Sequence, residues 1–177
     1  QYKPSKKIET LPLSIKNKRA YVDAFITKED DSEIPTKLLV DTGSSDALWL
    51  FQDIEKGLEV PDANYDDYLG KGLSGNIYGK RTKLKGIRIG SYILNEAKAA
   101  FPFRESFVAL QQLGDRNGSL GGEVLKRFNI IFDYQRGKIS LAKNSKFNSP
   151  FQYNLAGIEL QHNGLRYIAR KLADANG

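Results

Sequence analysis

The chain has 177 residues, 40% apolar and 27% charged, with 9 Tyr and 9 Phe; this is the composition of a folded chain, and the length suits one ordinary domain plus an extension. Its net charge of +6 comes from 27 Lys and Arg against 21 Asp and Glu, in short groups such as Lys6-Lys7, Lys16 to Arg19 and Lys80 to Arg88. No stripe of Arg interleaves with stacking aromatics, so a solvated basic surface is expected and no nucleic-acid partner. The absence of Cys excludes disulfide scaffolds, thiolate nucleophiles and thiolate metal sites, and the single His excludes His-rich metal clusters.

The predicted elements are mostly strands. Ala20 to Ile26, Leu38 to Val40, Ile87 to Ile89 and Ile130 to Phe132 are short apolar segments set off by Gly, Asn, Asp and Pro. Helical periodicity is scarce. Asp46 to Gly57 is one candidate, in which Trp49 stands at helical spacing from Leu48 and Phe51 and reads as a core residue. Asp62, Asn64 and Asp66 alternate as in a calcium loop, but Asp67 stands where Gly is needed and Leu73 where the bidentate Glu belongs. A solvated loop is expected there, and no metal.

Residues 68 to 93, YLGKGLSGNIYGKRTKLKGIRIGSYI, carry six glycines (Gly70, Gly72, Gly75, Gly79, Gly86, Gly90) within two strand-like runs and read as a long hairpin with its tip at Gly72 to Gly75. Further helical candidates are Phe103 to Leu113 and Glu123 to Phe128, the latter with Val124, Leu125 and Phe128 on its inner face. Asn129 to Tyr134 and Lys138 to Ala142 form a predicted hairpin across Gln135-Arg136-Gly137, where Gly137 supplies positive φ. The stretch KNSKFNSPFQ, residues 143 to 152, shifts to Asn, Ser, Lys and Pro and marks a boundary. The expected division is a lobe over 1–147, followed over 148–177 by a linker and the opening strands of a truncated second unit. His162, beside Asn163-Gly164, reads as a surface turn residue. No apolar run reaches the ~18 residues of a membrane span. Residue 1 is Gln in a chain without Met, so a processing event or an artificial boundary before it is expected, and any export signal would precede it.

The segment LLVDTGSSDALWL, residues 38 to 50, sets a lone carboxylate between an apolar run and a small polar turn. A strand through Leu38, Leu39 and Val40 is expected to be buried, and Asp41 at its end is costly to ionise unless it is paired or hydrogen-bonded. Thr42, Gly43, Ser44 and Ser45 supply donors: Gly43 relaxes the φ restriction so that backbone N–H groups turn back toward the carboxylate, and the hydroxyls add to them. On this segment alone, Asp41 also reads as the cap of a helix beginning near Ser45 or Asp46.

Asp41-Thr42-Gly43-Ser44 on an apolar strand resembles the active-site signature of aspartic proteases. GSLGGEVLKRFNIIFDYQRGKISL, residues 118 to 141, resembles the family's second signature: an apolar residue and Gly, a short helix, then a closing hairpin. Both stand in the family's order with strands between them. The resemblance covers roughly residues 8 to 142 and is to the retropepsin-like branch, in which one chain forms one lobe; in particular the chain looks like the bacterial members, some of which carry a PDZ domain after the lobe. It implies a mainly β fold, a single-lobe acid-protease closed barrel with one or two short helices. The tail LAGIELQHNGLRYIARKLADANG resembles the first strands of such a PDZ domain and is too short to complete one.

One carboxylate cannot be acid and base at the same instant, and the chain has one Asp-Thr-Gly. The resemblance therefore implies a homodimer whose second Asp41 arrives through a two-fold axis. Two carboxylates close together share one proton. The ionised one takes a proton from the water that attacks the peptide carbonyl, and the protonated one polarises that carbonyl. No metal, cofactor or covalent intermediate is implied. By the same resemblance Thr42 bonds to its twin across the axis, and Leu120-Gly121 packs behind the catalytic turn. Lys71, Gly72, Leu73, Ser74, Gly75, Asn76 and Ile77 form a flap over a peptide or protein substrate, against the plainer reading of a glycine-rich surface hairpin.

Ser44 is expected to donate to the outer oxygen of Asp41 and lower the pair's apparent pKa. The rival from another class is a non-catalytic peptide-binding or assembly module that keeps the fold. An Asp-nucleophile phosphatase is disfavoured because Gly43 stands where its second Asp belongs. An exported setting in a bacterium, periplasmic or at the cell envelope, is the expected location.

Overall fold

The computed structural model describes residues 7–72, 75–105 and 116–152, together with the backbone of 158–162 and 167–172. Strand formation follows alternating burial. In β3 (Arg19–Thr27) Val22, Ala24 and Ile26 face inward, as do Ile34, Thr36 and Leu38 in β4 (Glu33–Val40), and the two strands pair antiparallel from Tyr21↔Leu39 to Thr27↔Glu33. Thr36 is tolerated inside because its hydroxyl donates to the Ala24 carbonyl at 2.9 Å.

Both strands belong to a large sheet. Its pairing order is β6 (Asn64–Gly72), β7 (Gly75–Lys83), β10 (Lys98–Pro102), β5 (Leu48–Leu50), β11 (Gly118–Leu120), β4, β3, β8 (Gly86–Ile89) and β9 (Tyr92–Asn95), with β2 (Ser14–Lys16) also on β3. A second sheet has the order β1 (Glu9–Pro12), β13 (Lys138–Lys143), β12 (Phe128–Asp133). Ile139 and Leu141 of this sheet meet Val22, Ile89 and Leu120 of the large one in a single core, closed by Val124, Leu125 and Phe128. The fold is mainly β, and the predicted hairpin of β12 and β13 is present, with Gly137 at φ 58° in its turn.

The helix expected over Asp46 to Gly57 is not formed. Leu48–Leu50 is instead a strand, parallel to β10 and antiparallel to β11, followed by a 3₁₀ turn at Ile54–Lys56 capped by Asp53. The reason is burial on both sides of the backbone: Leu48 and Leu50 are fully buried with Trp49 half-buried between them, a period of two that a short apolar run does not distinguish from a helix. The third helical candidate is confined to Gly122–Leu125, and Phe128 begins β12, although Val124, Leu125 and Phe128 are all buried as expected. Most of the candidate at Phe103 to Leu113 lies outside the described residues. Asn64 and Asp66, read as loop, alternate because they are in strand β6.

Arg127, only 1% exposed, ties the chain beyond β13 to the lobe. Its Nε donates to the Glu123 carbonyl at 2.9 Å, its Nη groups donate to the carbonyls of Lys146, Phe147, Ser149 and Pro150, and its guanidinium lies 3.7 Å from the centre of the Phe151 ring. Further on, β14 (Ile158–His162) and β15 (Tyr167–Leu172) form an antiparallel hairpin of their own, so His162, expected in a turn, ends a strand. Among the described residues no helix is long and apolar enough to cross a membrane.

Candidate active site

The topology brings Asp41 and Gly121 out of the sheet side by side. β11 runs parallel to β4 with Leu120 opposite Val40, and it is inserted between β4 and β5, so the two chains leave their strands at the same level. The Asp41 N–H donates to the Leu120 carbonyl at 2.9 Å, and one Asp41 carboxylate oxygen accepts the Gly43 N–H at 3.0 Å. The carboxylate thus receives the backbone donor that the small turn was expected to provide. Asp41 itself is half-buried; Thr42 and Gly43 are exposed.

The helical turn Gly122–Leu125 has orphan N–H groups at its start. They are met from the Asp41 loop: Gly122 donates to the Ser44 carbonyl at 2.8 Å and Glu123 to the Asp46 carbonyl at 3.2 Å, just after Gly121 has donated to the Ala47 carbonyl at 2.9 Å. Leu120 is buried beneath the turn. The Ser44 hydroxyl accepts the Asp46 N–H at 3.3 Å, and no bond from it to the Asp41 carboxylate is present among the described residues, because the loop folds back on itself at Ser44.

Of the hairpin residues, Lys71 pairs with Asn76 and Gly72 with Gly75 at the described end of β6 and β7; Leu73 and Ser74 lie outside the described residues. Asn76 is exposed, whereas Ile77 is buried against Leu69 and Ala100, and the half-buried Trp49 packs onto the same cluster. Trp49, expected in the core, is half-buried and packs onto this smaller buried cluster, with its indole N–H turned to Asp46.

Two residues that sequence reasoning did not single out complete this junction. Asp46, read there only as the start of a helix, accepts the Trp49 indole N–H at 2.5 Å on Oδ2 and Arg81 Nη1 at 2.8 Å on Oδ1. Arg81 Nε reaches Asp67 at 2.6 Å. Burial works to lower the Arg81 pKa, but the charges and hydrogen bonds of Asp46 and Asp67 outweigh it and leave the guanidinium above its ordinary value. Asp46 and Arg81 are 35 positions apart, so no local spacing signals the pair.

Arg116 stands at the other side, its Nη1 donating to the Ser119 hydroxyl at 3.4 Å and its guanidinium 5.4 Å from the Phe51 ring. Burial, and after it the Arg19 charge, hold its pKa down, while the Asp41 charge acts against that. Among the described residues no group of three His, Cys, Asp or Glu side chains is arranged to hold a metal ion.

No protein-family model matches the chain, and no curated protein matches it. The chain is similar to the crystal structure of a retropepsin-like aspartic protease from Rickettsia conorii, at 20% sequence identity and a TM-score of 0.47, over 77% of this chain and 100% of that one.

Proposed function

We propose that this chain is one lobe of a retropepsin-like aspartic endopeptidase that works as a homodimer, with the water that attacks the peptide bond held between two copies of Asp41. The observation that carries this reading is the coincidence of the two chain exits: Asp41 follows β4 where Gly121 follows β11, and the loop after Asp41 is tied from behind through the Leu120, Ser44, Asp46 and Ala47 carbonyls. Such bracing holds a carboxylate to one position, which a reaction needing two aligned carboxylates requires. Exposure of Thr42 and Gly43 leaves the outward side of the loop open to a twin.

At close range the two carboxylates hold one proton between them. The ionised one accepts a proton from water as its oxygen adds to the peptide carbonyl; the protonated one donates to the developing oxyanion; collapse then passes a proton to the leaving amine. The hairpin of β6 and β7 serves as the flap over a peptide or protein substrate, and the lobe forms the closed barrel of its class. β14 and β15 are read as the opening of a PDZ-like unit, and the chain as an exported bacterial protein.

The test is sedimentation of the chain across a concentration series alongside cleavage of a mixed peptide library. A dimer whose cleavage is abolished by Asp41→Asn and blocked by a statine-type inhibitor supports the reading. Wild type and Asp41→Asn equally inert, or equally active, would overturn it and favour a non-catalytic peptide-binding module.

A further inference from the structure

Arg81 uses two different nitrogens to hold two carboxylates that belong to different parts of the chain, Asp46 on the loop after Asp41 and Asp67 on the opposite strand of the hairpin. Neither pair is a loose surface contact: the Arg81 side chain is 18% exposed, Asp46 23% and Asp67 9%. The second oxygen of Asp46 is occupied by the Trp49 N–H, and Trp49 packs onto the buried cluster that Leu69 and Ile77 of the same hairpin form with Ala100 of β10. The loop is thus joined to the hairpin base by charge, while Trp49 of β5, bonded to the same Asp46, adds apolar packing through the shared cluster.

The hairpin is also held by β10, but only along part of its length. β10 pairs with β7 up to Pro102↔Gly79, and the Phe103 N–H extends this to the Tyr78 carbonyl at 2.8 Å. Gly79 is pressed so closely to β10 that a Cβ there would lie 2.2 Å from the Phe101 carbonyl oxygen. Opposite Tyr78 the β6 register slips, between Tyr68 and Gly70, and Gly70 has φ +146°, a conformation that only glycine adopts readily. Support from β10 ends where the irregularity begins.

We propose that Arg81 is a positioning residue that fixes the base of the β6–β7 hairpin to the loop carrying Asp41, so that any movement of the hairpin relative to Asp41 is confined to the part beyond Gly70. This rests on the endopeptidase reading for its functional consequence, since the height of the hairpin above Asp41 sets where the peptide carbonyl lies. A misplacement of about 1 Å costs roughly a hundredfold in rate. Asp46 and Trp49 act in the same unit, through Arg81 and the hairpin respectively.

The experiment combines hydrogen exchange on the whole chain with turnover of a mixed peptide library. In Arg81→Met, exchange is expected to rise together in 42–49 and in the hairpin base, 64–69 and 79–83, while β12 and β13 keep their protection. Asp46→Asn gives the same pattern, and the double variant exchanges no faster than the faster single one, because both break one junction. Arg81→Lys restores less than half of the protection, since one ammonium cannot reproduce the guanidinium fork. Turnover in Arg81→Met falls roughly a hundredfold in kcat with KM little changed.

A rise confined to β7, additive effects in the double variant, or an unchanged kcat in an active enzyme would overturn the proposal. If wild type and Asp41→Asn prove equally inert, the endopeptidase reading fails, and the joint exchange pattern alone decides whether Arg81 couples the two segments. If Arg81→Met does not fold, Asp46→Asn carries the same comparison, because it keeps the Arg81–Asp67 pair and an acceptor for Trp49.

Discussion

Gly121 lies directly against Asp46: a Cβ on Gly121 would stand 2.2 Å from the Asp46 carbonyl oxygen and 3.0 Å from the Ser44 hydroxyl. A methyl group there must push the loop that follows Asp41 away from the chain that follows β11. Gly121→Ala is therefore expected to destabilise the lobe by about 1–3 kcal/mol and, under the endopeptidase reading, to lose most of its turnover. Denaturant titration beside a cleavage assay checks both, and an unchanged midpoint would mean the loop yields without cost.

Asp41→Asn separates chemistry from folding. The amide oxygen still accepts the Gly43 N–H that the carboxylate takes at 3.0 Å, so the thermal midpoint should move little, by the equivalent of less than about 0.5 kcal/mol. Under the endopeptidase reading cleavage should nevertheless disappear, since an amide cannot carry the transferred proton. Parallel thermal melts and peptide digestion give the comparison.

Arg127 offers a test of how the chain beyond β13 is held. Its buried guanidinium satisfies carbonyls from Glu123 to Pro150 and covers Phe151, so Arg127→Ala removes several hydrogen bonds and opens a cavity at once. A loss of about 3 kcal/mol is expected, with faster proteolysis in 146–151. Arg127→Lys should recover only a minor part, because an ammonium cannot span the fan of carbonyls. Urea unfolding of the three proteins side by side reads the order.

Tyr92 makes stability depend on alkaline pH. Burial, and then the Glu9 charge, raise its pKa above the ordinary tyrosine range, and its hydroxyl donates to the Leu141 carbonyl at 3.0 Å. A raised pKa means the folded state holds the proton more tightly than the unfolded one. The linked stability is full below about pH 10 and is lost as pH rises through the folded value. Tyr92→Phe should cost about 1 kcal/mol at pH 7, and the gap to wild type should narrow above pH 10. Unfolding midpoints measured from pH 7 to 11 would show parallel curves if the linkage were absent.

Much of this protein was legible along the chain because the relevant signals are local. Alternating burial in β3 and β4, the Gly137 turn between β12 and β13, and the donor-rich loop after Asp41 all depend on residues within a few positions of one another. One misreading, a helix over Asp46 to Gly57, came from a segment whose partners are distant. Leu48–Leu50 is a strand because β10 and β11 flank it, and neither is visible from residues 46–57.

The same distinction divides the candidate site. The sequence by itself determined that a carboxylate ends an apolar strand and that small residues follow to hold it, since these are matters of side-chain polarity and glycine's backbone freedom. Only the tertiary structure decided that Gly121 presses on Asp46, that Ser44 bonds within its own loop, and that Arg81 joins Asp46 to Asp67. Those contacts exist because β11 is threaded between β4 and β5 while the β6–β7 hairpin reaches β5 through β10, and charge pairing over such separations leaves no periodicity to read.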